Sequence, residues 1–198
     1  MDSPILNVLS NKYCMHCPLF GQQDHTKVRN QTIRINAGYF PRGEIELLLV
    51  AESPPMAFID DPSSYFYAPG KIKRRGLAYH TMIALFQREL ASKQEFLNRF
   101  SEKYYLLDMA KCPINKEKDR KKVALMCCSK YLCEELNALT PKRVLFVGKT
   151  SFGKIRESLD LKNLDYREQR DLASLPFGSS RNIADFTNKL RHAVKRAY

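Results

Sequence analysis

Three short apolar runs stand out along the chain: Glu44 to Ala51 (EIELLLVA), Tyr104 to Met109 (YYLLDM) and Arg143 to Val147 (RVLFV). Each is continuous rather than alternating, and the first is bounded by Gly43 and the Pro54-Pro55 pair. Runs of this kind suit strands buried on both faces. Elsewhere apolar residues recur at helical spacing, over Leu77 to Leu90, Lys93 to Glu102, Arg120 to Leu139 and Ser151 to Leu159. A fourth strand is expected near Leu172 to Pro176, then a closing helix from Ile183 to Lys195 that turns Leu190 and Val194 inward. Alternating strands and helices predict a single α/β domain over residues 1–198, three αβα layers around a four-stranded, mostly parallel sheet. After the first strand comes a long polar, aromatic and basic loop, residues 60–76 (DDPSSYFYAPGKIKRRG). In open parallel sheets, loops at the carboxyl ends of strands build the site.

Composition narrows the class. With 44% apolar and 11% aromatic residues in 198, the chain can bury an ordinary core, which excludes disorder as its main state. No apolar run approaches a membrane span, so no membrane partner is expected. The first residues, MDSPILNVLSNKYC, lack a basic stretch followed by an apolar one, and a cytoplasmic or nucleoid-associated protein is predicted. Lys and Arg number 33 against 21 Asp and Glu, a net charge of +12 that fits a polyanion such as nucleic acid. A monomer that binds DNA is the simplest expectation.

Two motifs need weighing. Gly148-Lys149-Thr150 looks like the end of a phosphate loop, but the glycine required five positions earlier is Arg143, so a nucleoside triphosphate site is rejected. The pair Cys14 and Cys17 is a CxxC that suits a redox couple, half a zinc site or half an iron-sulfur site. Cys112 follows the second strand, and Cys128 lies on the helix whose stripe carries Leu125, Leu132 and Leu139. Four thiolates from three pieces of chain suit zinc or a four-iron cluster equally. Alternatively Cys112, Cys127, Cys128 and Cys133 are small residues packed in the core.

The order of these elements is distinctive: CxxC, then Ala51-Glu52-Ser53-Pro54-Pro55, then Asp108-Met-Ala-Lys-Cys-Pro, then Cys128 with Tyr131-Leu132, then Leu139-Thr-Pro-Lys-Arg-Val-Leu-Phe-Val-Gly. It resembles the uracil-DNA glycosylase superfamily, most of all its iron-sulfur branch, family 4, from about Cys14 to Asn182. The resemblance implies a 4Fe-4S cluster on Cys14, Cys17, Cys112 and Cys128, with Cys127 and Cys133 spare. It implies a DNA glycosylase that flips a base and hydrolyses its N-glycosidic bond, leaving an abasic site in base-excision repair. Glu52 matches the family's motif, and Asp60 or Asp61 would align a water. Phe66, or else Tyr67, falls where the family stacks an aromatic ring on the extruded base. Lys71, Lys73, Arg74 and Arg75 would contact phosphates, and Ser179, Ser180, Arg181 and Asn182 would form a minor-groove loop with Phe177 as a wedge. Read without the resemblance, Glu52 could cap a turn, the aromatics could be core, and the basic run could be a solvated face.

The chain also departs from that pattern. The glycines flanking the family's glutamate are absent from 51–55, and Leu175 to Asn182 contains no histidine, the usual electrophile for a departing uracil. A related branch carries a histidine in the basic loop that captures DNA covalently; here Gly76 follows the arginines, and the nearest histidine, His80, falls in a predicted helix. The family's base-reading asparagine falls on Asp108. An asparagine offers a donor and an acceptor, whereas an ionised aspartate only accepts, so a cytosine-derived or otherwise modified base is expected rather than uracil. The alternative is a catalytically silent DNA-binding or DNA-crosslinking member of the same superfamily.

Overall fold

The computed structural model describes residues 17, 23–114, 118–148, 152 and 170–195, without the side chains of 23–26, 118–125, 170 and 171. Four strands form one sheet: β1 (Leu47–Ala51), β2 (Tyr104–Asp108), β3 (Val144–Val147) and β4 (Arg170–Ala173). Their order is β2-β1-β3-β4 and every pairing is parallel, as the continuous apolar runs predict. Leu48 pairs with Tyr105 on one side and Val144 on the other, and all of β1 and β3 is buried. The helices are α1 (Gln23–Gly38), α2 (Leu77–Phe86), α3 (Lys93–Phe100), α4 (Lys118–Leu139) and α5 (Ser180–Lys195). Sheet and helices together make the three-layer α/β domain. No helix among the described residues is long and apolar enough to cross a membrane.

Element boundaries differ from the sequence expectation for local reasons. β1 starts at Leu47 rather than Glu44, because the Ile45 carbonyl accepts from Lys142 N and Glu46 N donates to the Lys103 carbonyl. α2 stops at Phe86 instead of Leu90 because Gln87 takes a left-handed conformation, φ 56°, and closes the last turn on the Ile83 carbonyl. α3 ends at Phe100 rather than Glu102; at its start Ser92 Oγ accepts from Glu95 N at 3.1 Å. β4 lies at 170–173 rather than 172–176, since Ser174 N turns away to donate to Asp185 Oδ2 at 2.7 Å. α5 begins three residues before Ile183, capped by Ser179 Oγ, which accepts from Asn182 N at 3.2 Å. The helix expected over Ser151 to Leu159 lies outside the described residues, Phe152 excepted. α1 was not anticipated. Its inner face mixes Val28 with the polar Thr32 and Asn36, which hides the helical period.

Two features place the site. The aromatic run of the 60–76 loop is not solvated: Phe66 packs edge-on against Tyr67, Phe96 and Phe100, with ring centroids 5.0, 5.7 and 5.2 Å away. And the turn after β2 is braced by a fully buried ion pair, Lys111 Nζ to Glu135 Oε2 on α4 at 2.7 Å. Lys111 Nζ also donates to the Asp108 carbonyl. Removing one partner of a buried pair leaves an uncompensated charge and costs about 3–5 kcal/mol. Glu135→Leu is therefore expected to lower stability by about that much in urea titration. Adding Lys111→Met should restore part of the loss.

Candidate functional site

A cavity of about 650 Å³ opens at the carboxyl ends of β1 and β2, beside the loops that follow them. Its floor is Ala51, Leu106 and Asp108; Glu52 to Met56 and Ser63 to Phe66 form two walls, and Leu175 and Phe177 close a third. Lys73, Arg75 and Lys93 add positive charge to the lining. A second cavity, about 620 Å³, lies alongside between Arg74, His80 and the 176–180 segment, sharing Arg75 and Phe177 with the first.

β1 ends at Ala51, whose carbonyl accepts from Met109 N at 2.8 Å; the next carbonyl, of Glu52, accepts from Ala110 N at 2.9 Å. These bonds extend the parallel ladder past both strands and fix Glu52, half-buried, beside Asp108. Asp108 is almost wholly buried, and its Oδ2 lies 2.7 Å from the Tyr65 hydroxyl. Burial raises the Asp108 carboxyl to about 6; the Tyr65 hydrogen bond and the Lys111 charge oppose the rise, and Glu135 adds to it. The Tyr65 phenol is pushed well above its usual range by burial and by the neighbouring Asp108.

Lys93, at the first position of α3, is buried as well, and its Nζ donates to the Tyr65 carbonyl at 2.8 Å and, more loosely, to the Ser63 carbonyl at 3.4 Å. Burial, with help from the nearby Lys73 charge, lowers its amine to about 8. Ser64 Oγ, also in the lining, is buried without a hydrogen-bond partner among the described residues.

The expected site residues divide into three groups. Glu52, Phe66, Asp108, Lys73, Arg75 and Phe177 all line the first cavity. Arg74, Ser179 and Ser180 line the second, with His80 of α2. The rest stand apart from both. Asp60 is exposed outside either lining. Asp61 caps the short turn Pro62–Ser64 and pairs with Lys73 at 2.6 Å, and hydrogen bonds from Lys73 and Ser63 hold its carboxyl down to about 2. Tyr67 lies in the core, where its hydroxyl accepts from Leu106 N at 2.7 Å. Lys71 lines a shallow cleft beside Glu89, and Arg74 reaches Glu89 at 3.6 Å. Arg181 is exposed in the first turn of α5, and Asn182 Nδ2 donates to the Phe177 carbonyl at 2.9 Å. Tyr65, Asn36 and Lys93 were not anticipated; only Tyr65, beside Phe66, gave any signal.

Cys14 lies outside the described residues. Cys17, Cys112 and Cys128 are neighbours. Burial pushes the Cys128 thiol up, the Cys112 and Cys17 thiols raise it further, and a hydrogen bond from the Lys111 backbone N–H opposes the rise. Among the described residues no three His, Cys, Asp or Glu stand close enough together to hold a metal ion. Chemically the donor set fits a soft metal centre: sulfur ligands, Cys112 and Cys128 buried, with an amide N–H on one sulfur. The sequence matches no protein-family model and no curated protein.

The Asp108 carboxyl gives a pH signature. Because its proton affinity is higher in the folded chain than the ordinary carboxylate value of 3.8, its contribution is fully present below about pH 4 and is lost as pH rises through about 6. At about 1.4 kcal/mol per factor of ten, that amounts to about 3 kcal/mol. Chemical denaturation of wild type and Asp108→Asn across pH 4 to 8 should differ by a slope that begins near pH 4 and runs at least to about 6. Parallel profiles would mean that the carboxyl titrates normally.

Proposed function

We propose that the protein is a monofunctional DNA glycosylase, acting as a monomer on DNA in the cytoplasm or nucleoid. The observation that carries this reading is the cavity at the strand ends, which gathers Glu52, Phe66 and Asp108 beneath a rim of Lys73, Arg75 and Phe177. An extruded base needs a closed apolar slot with a few polar groups on its edge, and a basic surface to hold the backbone outside. Hydrolysis of the N-glycosidic bond builds positive charge on the sugar and negative charge on the leaving base. Asp61 is tied to Lys73 and Asp60 is outside the lining, so Glu52 is the carboxylate assigned to the sugar and its attacking water. Phe66 offers an aromatic wall and Asp108 meets the base edge, favouring a cytosine-derived or modified base over uracil. Phe177, exposed on the rim, is the group assigned to the gap left in the duplex.

Under the same reading, Cys14, Cys17, Cys112 and Cys128 would hold a 4Fe-4S cluster. When bound, the cluster would supply a structural cross-link between the N-terminal segment, the turn after β2 and α4, and no bond-breaking chemistry. Pure protein should then be yellow-brown. Alanine at any of the four should abolish the visible absorption, whereas Cys133→Ala should keep it; a colourless protein carrying zinc when purified without oxygen would refute the assignment.

Activity is tested with oligonucleotides carrying uracil, hypoxanthine, xanthine or modified cytosines, followed by alkali to cut abasic sites. Product from at least one base is expected, with Glu52→Gln slower by about 10²–10⁴-fold. A complete lack of product alongside intact DNA binding would instead favour a silent DNA-binding member, a reading that the absence of histidine from 175–182 supports. For the rim, Lys73, Arg74 and Arg75 replaced together should reduce the salt-dependence slope of DNA binding by about one to two. Three full phosphate contacts would give more, but Lys73 and Arg74 are already paired to Asp61 and Glu89. An unchanged slope would place this loop away from DNA.

A further inference from the structure

The Tyr65 hydroxyl lies between two side-chain oxygens, 2.7 Å from Asn36 Oδ1 on α1 and 2.7 Å from Asp108 Oδ2 at the end of β2. A phenol carries one proton, and both neighbours are acceptors unless one of them is protonated. All three side chains are buried, so water does not readily make up the deficit. With Asn36 presenting Oδ1, as it does here, the missing proton has one source within the chain that leaves both bonds intact. Asp108 donates from Oδ2 to the Tyr65 oxygen, and Tyr65 donates onward to Asn36.

We propose that Asn36 and Tyr65 are positioning residues that hold Asp108 as a neutral carboxylic acid with its proton turned toward Tyr65. The oxygen left for the cavity is then Oδ1, a lone hydrogen-bond acceptor. This deepens the base-pocket reading above and rests on it. The substrate class that fits is a heterocycle with an exocyclic amino donor on the edge it presents, bound neutral, with no proton shared between ring and carboxyl. A keto oxygen there would face Oδ1 with no hydrogen between them.

Tyr65 is well placed for such a role. Its ring stacks on Phe58 at 4.9 Å, and its carbonyl is gripped by Lys93. Neither end of the residue is free to turn its hydroxyl elsewhere. The charged and titratable groups around Asp108 are Tyr65 and Tyr67 from the loop, Glu52 after β1, Tyr105 on its own strand, Lys111 from the following turn and Glu135 from α4. Burial and Glu135 favour the neutral acid, while Lys111 favours the anion. The carboxyl is raised to about 6 with Tyr65 acting as donor to the anion. With the hydroxyl proton committed to Asn36, that lowering influence is gone and the acid persists to neutral pH.

Infrared spectra of protein labelled with ¹³C-aspartate read this state without DNA or turnover. A protonated-carboxyl band is expected at pH 7 and should vanish in Asp108→Asn. In Asn36→Leu the hydroxyl proton is released to the carboxylate, and the titration midpoint should fall by about one pH unit or more. No band at pH 7, or a midpoint that stays or rises in Asn36→Leu, would overturn the proposal; the Asn36 amide would then be turned over, with Nδ2 donating to Tyr65. Should Asn36→Leu fail to fold, Asn36→Ser is the substitute, because the wild-type band alone can still refute the idea. In a second arm, duplexes carry one non-hydrolysable 2′-fluoroarabino cytosine or uracil nucleotide. Wild type should prefer the cytosine duplex by about tenfold or more, and Tyr65→Phe should lose the preference. An intact infrared signature with no preference would count against the base-pocket reading, not against the proton chain.

Discussion

Lys111 and Glu135 are the interaction on which the rest of the molecule turns. A lysine and a glutamate taken wholly out of water are costly unless their geometry is held, and this pair joins the turn after β2 to the C-terminal part of α4. That turn is five residues long and carries Asp108 at one end and Cys112 at the other. Lys111 also ties itself back to the Asp108 carbonyl, so the cavity and the cysteine neighbourhood share one brace. The Lys111 backbone N–H reaches the Cys128 sulfur as well. Whatever disturbs this turn therefore disturbs both the polar floor of the cavity and the thiols behind it.

Charge around the cavity is arranged in two layers. Outside, the basic rim is partly neutralised, Lys73 by Asp61 and Arg74 by Glu89. Such exposed pairs contribute little to stability, and they leave the loop able to exchange an internal carboxylate for an external anion. Inside, Asp108 sits among tyrosines, with its charge state set by burial together with its Tyr65 partner. The outer layer suits a polyanion; the inner one suits a neutral ring.

Much of this was legible in the sequence, and the reasons are specific. The apolar runs at 47–51, 104–108 and 144–147 could be read because a strand buried on both faces needs no polar alternation. Glu52 could be placed because it stands at the carboxyl end of such a run, whereas Asp108 was reached through the family resemblance. α1 could not, since its inner face mixes Val28 with Thr32 and Asn36. Burial of Phe66 and Tyr67 stood only as an alternative, because the basic, serine- and proline-containing stretch around them reads as solvated loop. Asn36 and Tyr65 meet across 29 residues, a contact that no local spacing encodes. Asp61 drew attention as an acid near the site, and its engagement by Ser63 and Lys73 is visible only in three dimensions.

The anchoring of Tyr65 has one more consequence. A wall held at its backbone by Lys93, at its ring by Phe58 and at its hydroxyl by Asn36 and Asp108 is already in its final shape before anything enters. Little conformational entropy remains to be lost on that side when the cavity fills. The burden of adjustment falls on the incoming molecule. A guest that can swing one ring out of its own stack meets a ready mould, and one that must be accommodated by the protein finds a wall that does not yield.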